Sequence, residues 1–474
     1  MQTQHEDHHF KEVTQEIDNW WKSPRWHQVH RPYTASQVAA LRPSIKIEYA
    51  GNYCAKKLWG LLREAHANKE FHQTFGALDP VQVANLAKYI TTIYISGWQC
   101  SSTASVTNEP GPDFADYPMN TVPNKVDHLF KALLFHDRKQ NEARARMTSD
   151  QRSKHKRVDY FRPIIADGDA GFGGVTSVMK LTKLMIEAGA SGIHIEDQRP
   201  GTKKCGHMAG KVIVSTKEHV QRLIAARLQA DIMGHDLVIV ARTDALGAKL
   251  IDNNSDVVDH PFILGVYDPK HSDKLLTFPE AGDLALKSRF SGAQLEKKQA
   301  EWNAVKYRIS LWDALVHAKN NGFEFYFDWE KPRTSEGFYL TKGCVEYCAH
   351  RAREYLKVAD MVWMETPTPN VPVAKKFSEL VKIDNPYKLL AYNLSPSFNW
   401  SAAGMSNQDI ANFCADLGKM GYAWQFITLA GFHMNALVSE KFAKDYSERK
   451  MLAYVDKIQR KEEKYGVDQL THQR

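Results

Sequence analysis

Short apolar runs rich in β-branched and aromatic residues recur along most of the chain, and nearly every one ends in a polar or charged residue. In order they cover residues 92–98, 163–169, 192–197, 237–244, 325–330, 361–366, 389–395 and 424–431. Between them lie stretches with apolar residues at helical spacing, such as 178–188 and 220–233. Near-continuous apolar strands alternating with amphipathic helices predict a parallel sheet covered by helices. Eight such units closing on themselves give an α/β fold, a (β/α)8 barrel of the TIM type, with functional groups gathered at the C-terminal strand ends. A doubly wound open sheet is the alternative, but no Gly-x-Gly-x-x-Gly follows a first strand.

Ahead of the first run the texture is helical. Residues 13–21 carry apolar side chains at helical spacing and stop before Pro24, Thr34 marks a capped helix start, and 53–67 and 81–89 continue the pattern. The expected organisation is an N-terminal helical region over 1–90, a barrel over 91–445 and a C-terminal helical segment over 446–474. Two insertions interrupt the barrel. One spans about 99–160, after the first predicted strand; the other spans about 246–322, after the fourth, and is polar and helical in its second half.

Composition removes several function classes. No run reaches the roughly 18 apolar residues of a membrane span. The opening MQTQHEDHHF has neither a secretory layout nor the arginine-rich pattern of a mitochondrial transit peptide. His5, His8 and His9 lie in it, and are read as a frayed start before a metal site. Six scattered cysteines in 474 residues indicate a reducing compartment, not a disulfide framework. The formal charge of +7 is partly concentrated between Arg138 and Arg157. Nucleic-acid binding would want aromatics interleaved there, so the run is read as a solvated linker and the partner as a small polyanion.

Candidate chemistry sits at the strand ends. Asp167 and Asp169 close one predicted strand and Glu196 and Asp197 the next. Converging carboxylates make a hard oxygen site for Mg²⁺ or Mn²⁺, which keeps several waters. Capping of the following helices is the competing role, above all for Asp197. Arg242 ends the next strand and can fork onto a carboxylate. Asn393, Ser395, Ser397 and Thr428 offer neutral hydrogen bonds to a second one. The stretch Lys203-Lys204-Cys205-Gly206-His207-Met208-Ala209-Gly210-Lys211 crowds a thiol, an imidazole and three lysines together. Neighbouring positive charge lowers a thiol pKa, so Cys205 is expected to be activated as an acid, base or nucleophile. Together these groups suit cleavage of a C–C bond beside an α-hydroxy or α-keto carboxylate, with the metal polarising oxygen and the thiol exchanging a proton with the carbanion.

These motifs resemble the isocitrate lyase family. The resemblance rests on Lys203-Lys204-Cys205-Gly206-His207, Ser96-Gly97-Trp98-Gln99, the ADGDAGFGG run from Ala166, Ala241-Arg242-Thr243-Asp244 and Trp363-Met364-Glu365-Thr366. The runs 393–400 and 425–431 add to it, and 108–113 in the first insertion is similar to the eukaryotic branch. The match runs in order from about residue 12 to the end. It implies reversible cleavage of isocitrate to glyoxylate and succinate, with Mg²⁺ (or Mn²⁺) as cofactor. Carried over, Asp167 is the direct metal ligand, and Asp113, Asp169 and Glu196 hold metal-bound waters. Ser96, Gly97, Trp98 and Arg242 hold the glyoxylate part; Asn393, Ser395, Ser397, Thr428, Gly206 and His207 hold the succinate carboxylate. Cys205 protonates the succinate carbanion, with Tyr94 expected as the base and His207 and Glu365 as further catalytic residues. The family implies a homotetramer with exchanged C-terminal helices and a signature loop that closes over the substrate. It also implies a glyoxysomal, peroxisomal or cytoplasmic location.

Two departures from the family stand out. The second insertion is shorter than in plant and fungal relatives, and the chain ends at Thr471-His472-Gln473-Arg474, where the family continues through a tail that helps close the site and can carry a peroxisomal address. Cleavage of 2-methylisocitrate is the nearest rival activity, since one methylene separates substrates by only ~1–3 kcal/mol in a hydrophobic pocket. A non-catalytic binding protein on a lyase fold is the rival from another class, but Cys205, Asp167 and Arg242 are all present.

Overall fold

In the computed structural model, which describes residues 2–206 and 208–467, eight parallel strands form a barrel. In chain order they are β1 His72–Phe75, β2 Ile93–Ile95, β3 Ile164–Asp167, β4 Gly192–Glu196, β5 Val238–Thr243, β6 Met361–Met364, β7 Leu389–Asn393 and β8 Tyr422–Ile427. Each pairs in parallel with the next from β2 to β8, and β1 pairs with β8. A bridge between Gly76 and Tyr94 and the Ala77 N–H to Tyr94 carbonyl bond (3.0 Å) close the ring between β1 and β2. Closure rules out the doubly wound open sheet.

Seven of the strands fall where the apolar runs predict them; the eighth does not. Residues 325–330 belong to the second insertion, where only a Val266–Asp328 bridge pairs them. Their aromatic rings pack among Trp302, Trp312 and Tyr339. The missing strand is His72–Phe75, inside the region expected to be helical. Its sequence shows one buried position, Thr74, and no apolar run, so it is held by pairing to β8, not by its own hydrophobicity. The barrel therefore starts near residue 72, the insertions follow β2 and β5, and the second extends to about residue 344. It carries the helices Phe278–Arg289, Gly292–Val305 and Leu311–Asn320.

Alternation along the strands sorts the core. Tyr94, Ile165, Val238, Val240, Met361, Trp363, Leu389, Ala391, Trp424 and Phe426 fill the interior, while Ile193, Ile195, Ile239 and Ala241 face the surrounding helices. Leu58, Leu62 and Ala65 of the helix Ala50–Asn68 join the interior cluster. Truncating a central aromatic such as Trp363 to alanine would cost about 3–5 kcal/mol. The basic run ends the helix Thr121–Ala145 and continues through the short helix Ser149–Lys154, so it is helical, not a linker. Much of its charge is answered locally, Lys154 by Asp150, Arg146 by Glu142 and Arg157 by Asp137. His5, His8 and His9 are exposed on the helix Gln2–Trp21. The helices after residue 450 run to Tyr465. No helix of the described residues is long and apolar enough to cross a membrane.

Candidate active site

Period-two alternation puts His194 and Glu196 of β4 and Arg242 of β5 inside the barrel. Parallel register then sets Glu196 beside Arg242, and Arg242 beside Trp363 of β6. The Arg242 guanidinium lies 4.5 Å from the Trp363 ring, donates to Asp244 at 2.9 and 3.1 Å, and is 3.0 Å from Glu196 and 4.0 Å from Glu365. The neighbouring carboxylates outweigh the effect of burial and hold Arg242 firmly protonated.

Asp167 ends β3. Its oxygens accept from the backbone N–H groups of Gly97 and Asp169, both at 2.9 Å, and its carboxylate lies 3.5 Å from His194. Burial alone would raise its pKa, but His194, Lys203 and these N–H groups together hold it below the ordinary value. Gly97 has to be glycine, because a Cβ there would run into the Tyr117 hydroxyl and come within 2.9 Å of Asp167. Asp169 sits at φ +54°, a left-handed turn that aims its carboxylate at Tyr117 (2.8 Å) and Lys203 (3.1 Å). Strained backbone of this kind concentrates at functional sites.

Lys203 is the hub of the acids. Its buried ammonium contacts Asp113, lies 3.1 Å from Asp169 and 3.6 Å from Glu196. Asp113, on the first insertion, is pushed up to about 6, by burial first and then by Asp169 and Asp167, with Lys203 opposing. Burial likewise pushes Glu196 up against the pull of Arg242 and Lys203. Six buried carboxylates (Asp113, Asp167, Asp169, Glu196, Asp244 and Glu365) thus face three buried cations, Lys203, Lys211 and Arg242. Hard oxygen donors short of positive charge fit a divalent cation. Among the described residues no three His, Cys, Asp or Glu side chains are grouped so as to hold one directly.

The signature loop folds down onto this floor. Lys211 is clamped to Asp244 (2.6 Å) and to the Gly206 carbonyl, and Gln198 exchanges two 2.9 Å hydrogen bonds with the backbone of Lys204. A Cβ on Gly206 would strike Glu365 and lie 3.3 Å from Arg242, so the loop approaches as closely as glycine allows. Cys205, half-buried, is brought over the acids with it. The thiol is not activated in the expected sense. Burial, then Asp113, raises its pKa, because Lys203 is already neutralised by carboxylates and its lowering effect is outweighed. Cys205 therefore carries its proton. His207 lies outside the described residues.

Asn393, at the end of β7, donates to Glu365 at 3.3 Å and keeps its buried Oδ1 without a protein partner. Ser395 is buried and accepts from the Ser397 N–H (3.2 Å), whereas Ser397 is exposed. Thr428 follows β8 and Ser96 caps the helix Gly97–Ala104. Trp98 packs edge-on against Phe432 at 5.2 Å. Tyr94 is wholly inside the barrel, 3.0 Å from His194 and 3.4 Å from Asp167. Burial, then Asp167, raises its phenol well above the ordinary value, so Tyr94 keeps its proton and this arrangement does not equip it as a base.

The strand ends and the loops above them thus bring together Asp113, Asp167, Asp169, Glu196, Arg242, Gly206, Glu365 and Asn393, whereas no contact among the described residues joins Trp98, Ser397 or Thr428 to this cluster; Tyr117 and His194 are added, which sequence reasoning missed. Tyr117 has no motif to betray it. His194 could have been found as the polar residue two positions before Glu196, on the same inward side of β4. Lys211 gave no sign of its clamp to Asp244. Asp197 has a supporting role: it accepts from the Thr243 hydroxyl (2.7 Å) and the Asp244 N–H (2.9 Å) and pairs with Arg351 (3.0 Å), a buried network that holds the end of β5.

A lyase-type site of this kind on a parallel barrel finds its relatives readily. The isocitrate lyase family model matches residues 12–324 and 313–474. An isocitrate lyase of Pinus taeda is 49% identical, the match covering 99% of this chain and 88% of that protein; the one of Oryza sativa subsp. japonica is 47% identical over the same shares. A mitochondrial 2-methylisocitrate lyase of Hypocrea atroviridis is 42% identical, covering 99% of this chain and 89% of its own. The chain belongs to the isocitrate lyase family.

Proposed function

We propose that the protein cleaves isocitrate to glyoxylate and succinate with Mg²⁺. The observation that carries this is the seating of the Cys205–Gly206 loop on Arg242 and Glu365, directly above the acid cluster. The hydroxyl proton of the substrate passes to one of the buried carboxylates, not to Tyr94. The C–C bond then breaks, the hydroxyl carbon becomes the aldehyde of glyoxylate, and the bonding electron pair stays on the succinate carbon beside its carboxylate. The Cys205 thiol delivers the proton that this carbon needs, and its raised pKa keeps that proton in place until the carbanion forms. Arg242 holds the carboxylate of the glyoxylate part, with Ser96, Gly97 and Trp98 along the same wall. Asn393, Ser395, Ser397, Thr428 and Gly206 line the succinate side. Asp167 would hold the cation directly, and Asp113, Asp169 and Glu196 its waters; when bound, it supplies positive charge to the α-hydroxy carboxylate.

Assembly as a homotetramer is part of this reading, supported by the exposed Met434, Leu437, Val438, Met451 and Leu452 along the last helices. A peroxisomal, glyoxysomal or cytoplasmic setting accompanies it. The second reading, cleavage of 2-methylisocitrate to pyruvate and succinate, is favoured by the fungal relative of that name. Following glyoxylate and pyruvate separately from the two substrates distinguishes them.

A further inference from the structure

At the opposite end of the barrel lies a second charged cavity that the reaction does not use. Asp360 and Lys388 immediately precede β6 and β7, so they mark the N-terminal mouth. A cavity of about 290 Å³ there is lined by Arg25, Trp59, Arg63, Asp360, Tyr387 and Lys388, among others. Asp360 is its only acid, and both of its oxygens are taken: Arg25 lies at 2.6 Å, Arg227 at 2.7 Å and the Ile239 N–H at 2.8 Å.

Lys388, 4% exposed, has no carboxylate among its bonded partners; it donates to the carbonyls of Gln28 (2.9 Å) and Ala359 (3.0 Å). Arg63 donates to the Tyr387 carbonyl at 2.6 Å. The Trp59 ring has Arg25 4.0 Å from its centre and Arg63 5.6 Å away. Other acids at this end are engaged elsewhere, Asp231 by Arg31 (2.7 Å), Asp236 by Lys56 (3.8 Å), Glu354 by Lys357 and Asp384 by Arg353. Asp360 thus answers Arg25 and Arg227 and leaves Arg63 and Lys388 bonded to carbonyls alone among the described residues, and the Nε of Arg25 is a buried donor without a partner. Buried charge that is not paired is costly. Burial, followed by Arg227, Arg25 and Arg63 acting against Asp360, brings Lys388 down to about 8, and burial lowers Arg25 and Arg63 as well.

We propose that this cavity binds a small oxyanion of the phosphate class, seated between Arg25, Arg63 and Lys388. Guanidinium forks and an ammonium arriving from different elements match the several oxygens of a phosphoryl group better than a planar carboxylate. A wider cleft of about 710 Å³ shares His27, Gln28 and Val29 with the cavity; its walls add Arg308 and the ion pairs Lys357–Glu354 and Arg353–Asp384. That leaves room for the organic part of a phosphate monoester, so the phosphoryl group can come from free phosphate or from such an ester.

The test is calorimetric titration of the full chain, free of divalent cation and at constant ionic strength, with inorganic phosphate and separately with glycerol 3-phosphate. Saturable binding of one anion per chain is expected, weakened about tenfold or more by Lys388→Met and by Arg63→Gln, as loss of a hydrogen bond to a charged group implies. Tighter binding of the ester would place its organic part in the wider cleft; equal binding would identify free phosphate as sufficient. Arg63 is half-exposed at the cavity, so its variant decides the matter should Lys388→Met fail to fold. No saturable binding to wild type, or binding unchanged in the variants, would overturn the site. A rise in melting temperature shared by wild type and variants would be general salt exclusion and would count against it too.

Discussion

The two mouths of the barrel hold opposite surpluses of charge. At the C-terminal mouth, six carboxylates outnumber Lys203, Lys211 and Arg242; at the N-terminal mouth, Asp360 pairs with Arg25 and Arg227 while Arg63 and Lys388 bond carbonyls. Each combines strand-end residues with groups brought in by helices or loops, so one scaffold supports either sign. What differs is the partner each end calls for. An acidic mouth short of positive charge awaits a cation, and a basic mouth short of negative charge awaits an anion.

Removing a counter-ion at either mouth should have the largest effect and should break the symmetry. Arg242→Met leaves Glu196, Asp244 and Glu365 without it, and Asp360→Asn leaves Arg25 and Arg227 unanswered. Each is expected to cost about 3–5 kcal/mol of stability in denaturant unfolding. Mg²⁺ should restore part of the loss in Arg242→Met and none in Asp360→Asn; equal recovery would contradict the assignment of opposite surpluses.

Stability against pH sharpens the same contrast with a smaller effect. Asp113 titrates near 6 in the fold and near 4 unfolded, so the folded state binds more protons between those values. Its contribution therefore falls as pH rises from about 4 to about 6 without divalent cation, and Asp113→Asn should flatten that slope. Asp360 is depressed, because Arg227 and Arg25 outweigh its burial. Its contribution is present above about 4 and is lost as pH drops below that value; Asp360→Asn should shrink this acid limb, the remainder coming from the depressed Asp167 and Asp244 of the other mouth.

The smallest change concerns the loop. Gly206→Ala should lift the loop from Glu365 and Arg242, lowering kcat/KM about tenfold or more while shifting the unfolding midpoint little, since the loop adds little to the core. Unchanged kinetics would mean that the close seating of the loop is not needed.

How much of this could be read beforehand follows from what each feature depends on. Strands β2 to β8 declare themselves because burial on both faces demands apolar residues in an unbroken run. His72–Phe75 stays hidden because its neighbours, not its composition, make it a strand. Residues 325–330 mislead for the converse reason: their aromatics serve the core of an insertion. Asp167, Glu196 and Arg242 were legible as polar residues ending strands. The state of Cys205 was not, because it depends on Asp113 and Lys203, 90 positions apart in sequence, meeting above β3. A basic stretch read alone promises an activated thiol; the folded loop spends that charge on carboxylates.

The most direct test of the central claim is glyoxylate release from isocitrate with Mg²⁺, with pyruvate from 2-methylisocitrate followed in parallel, for wild type and Cys205→Ser. Rapid glyoxylate formation is expected, reduced by about 10²–10⁴-fold in the serine variant, as loss of a positioned acid implies. Full activity in Cys205→Ser would contradict the role given to the thiol, and preferential release of pyruvate would move the protein to the methylated substrate.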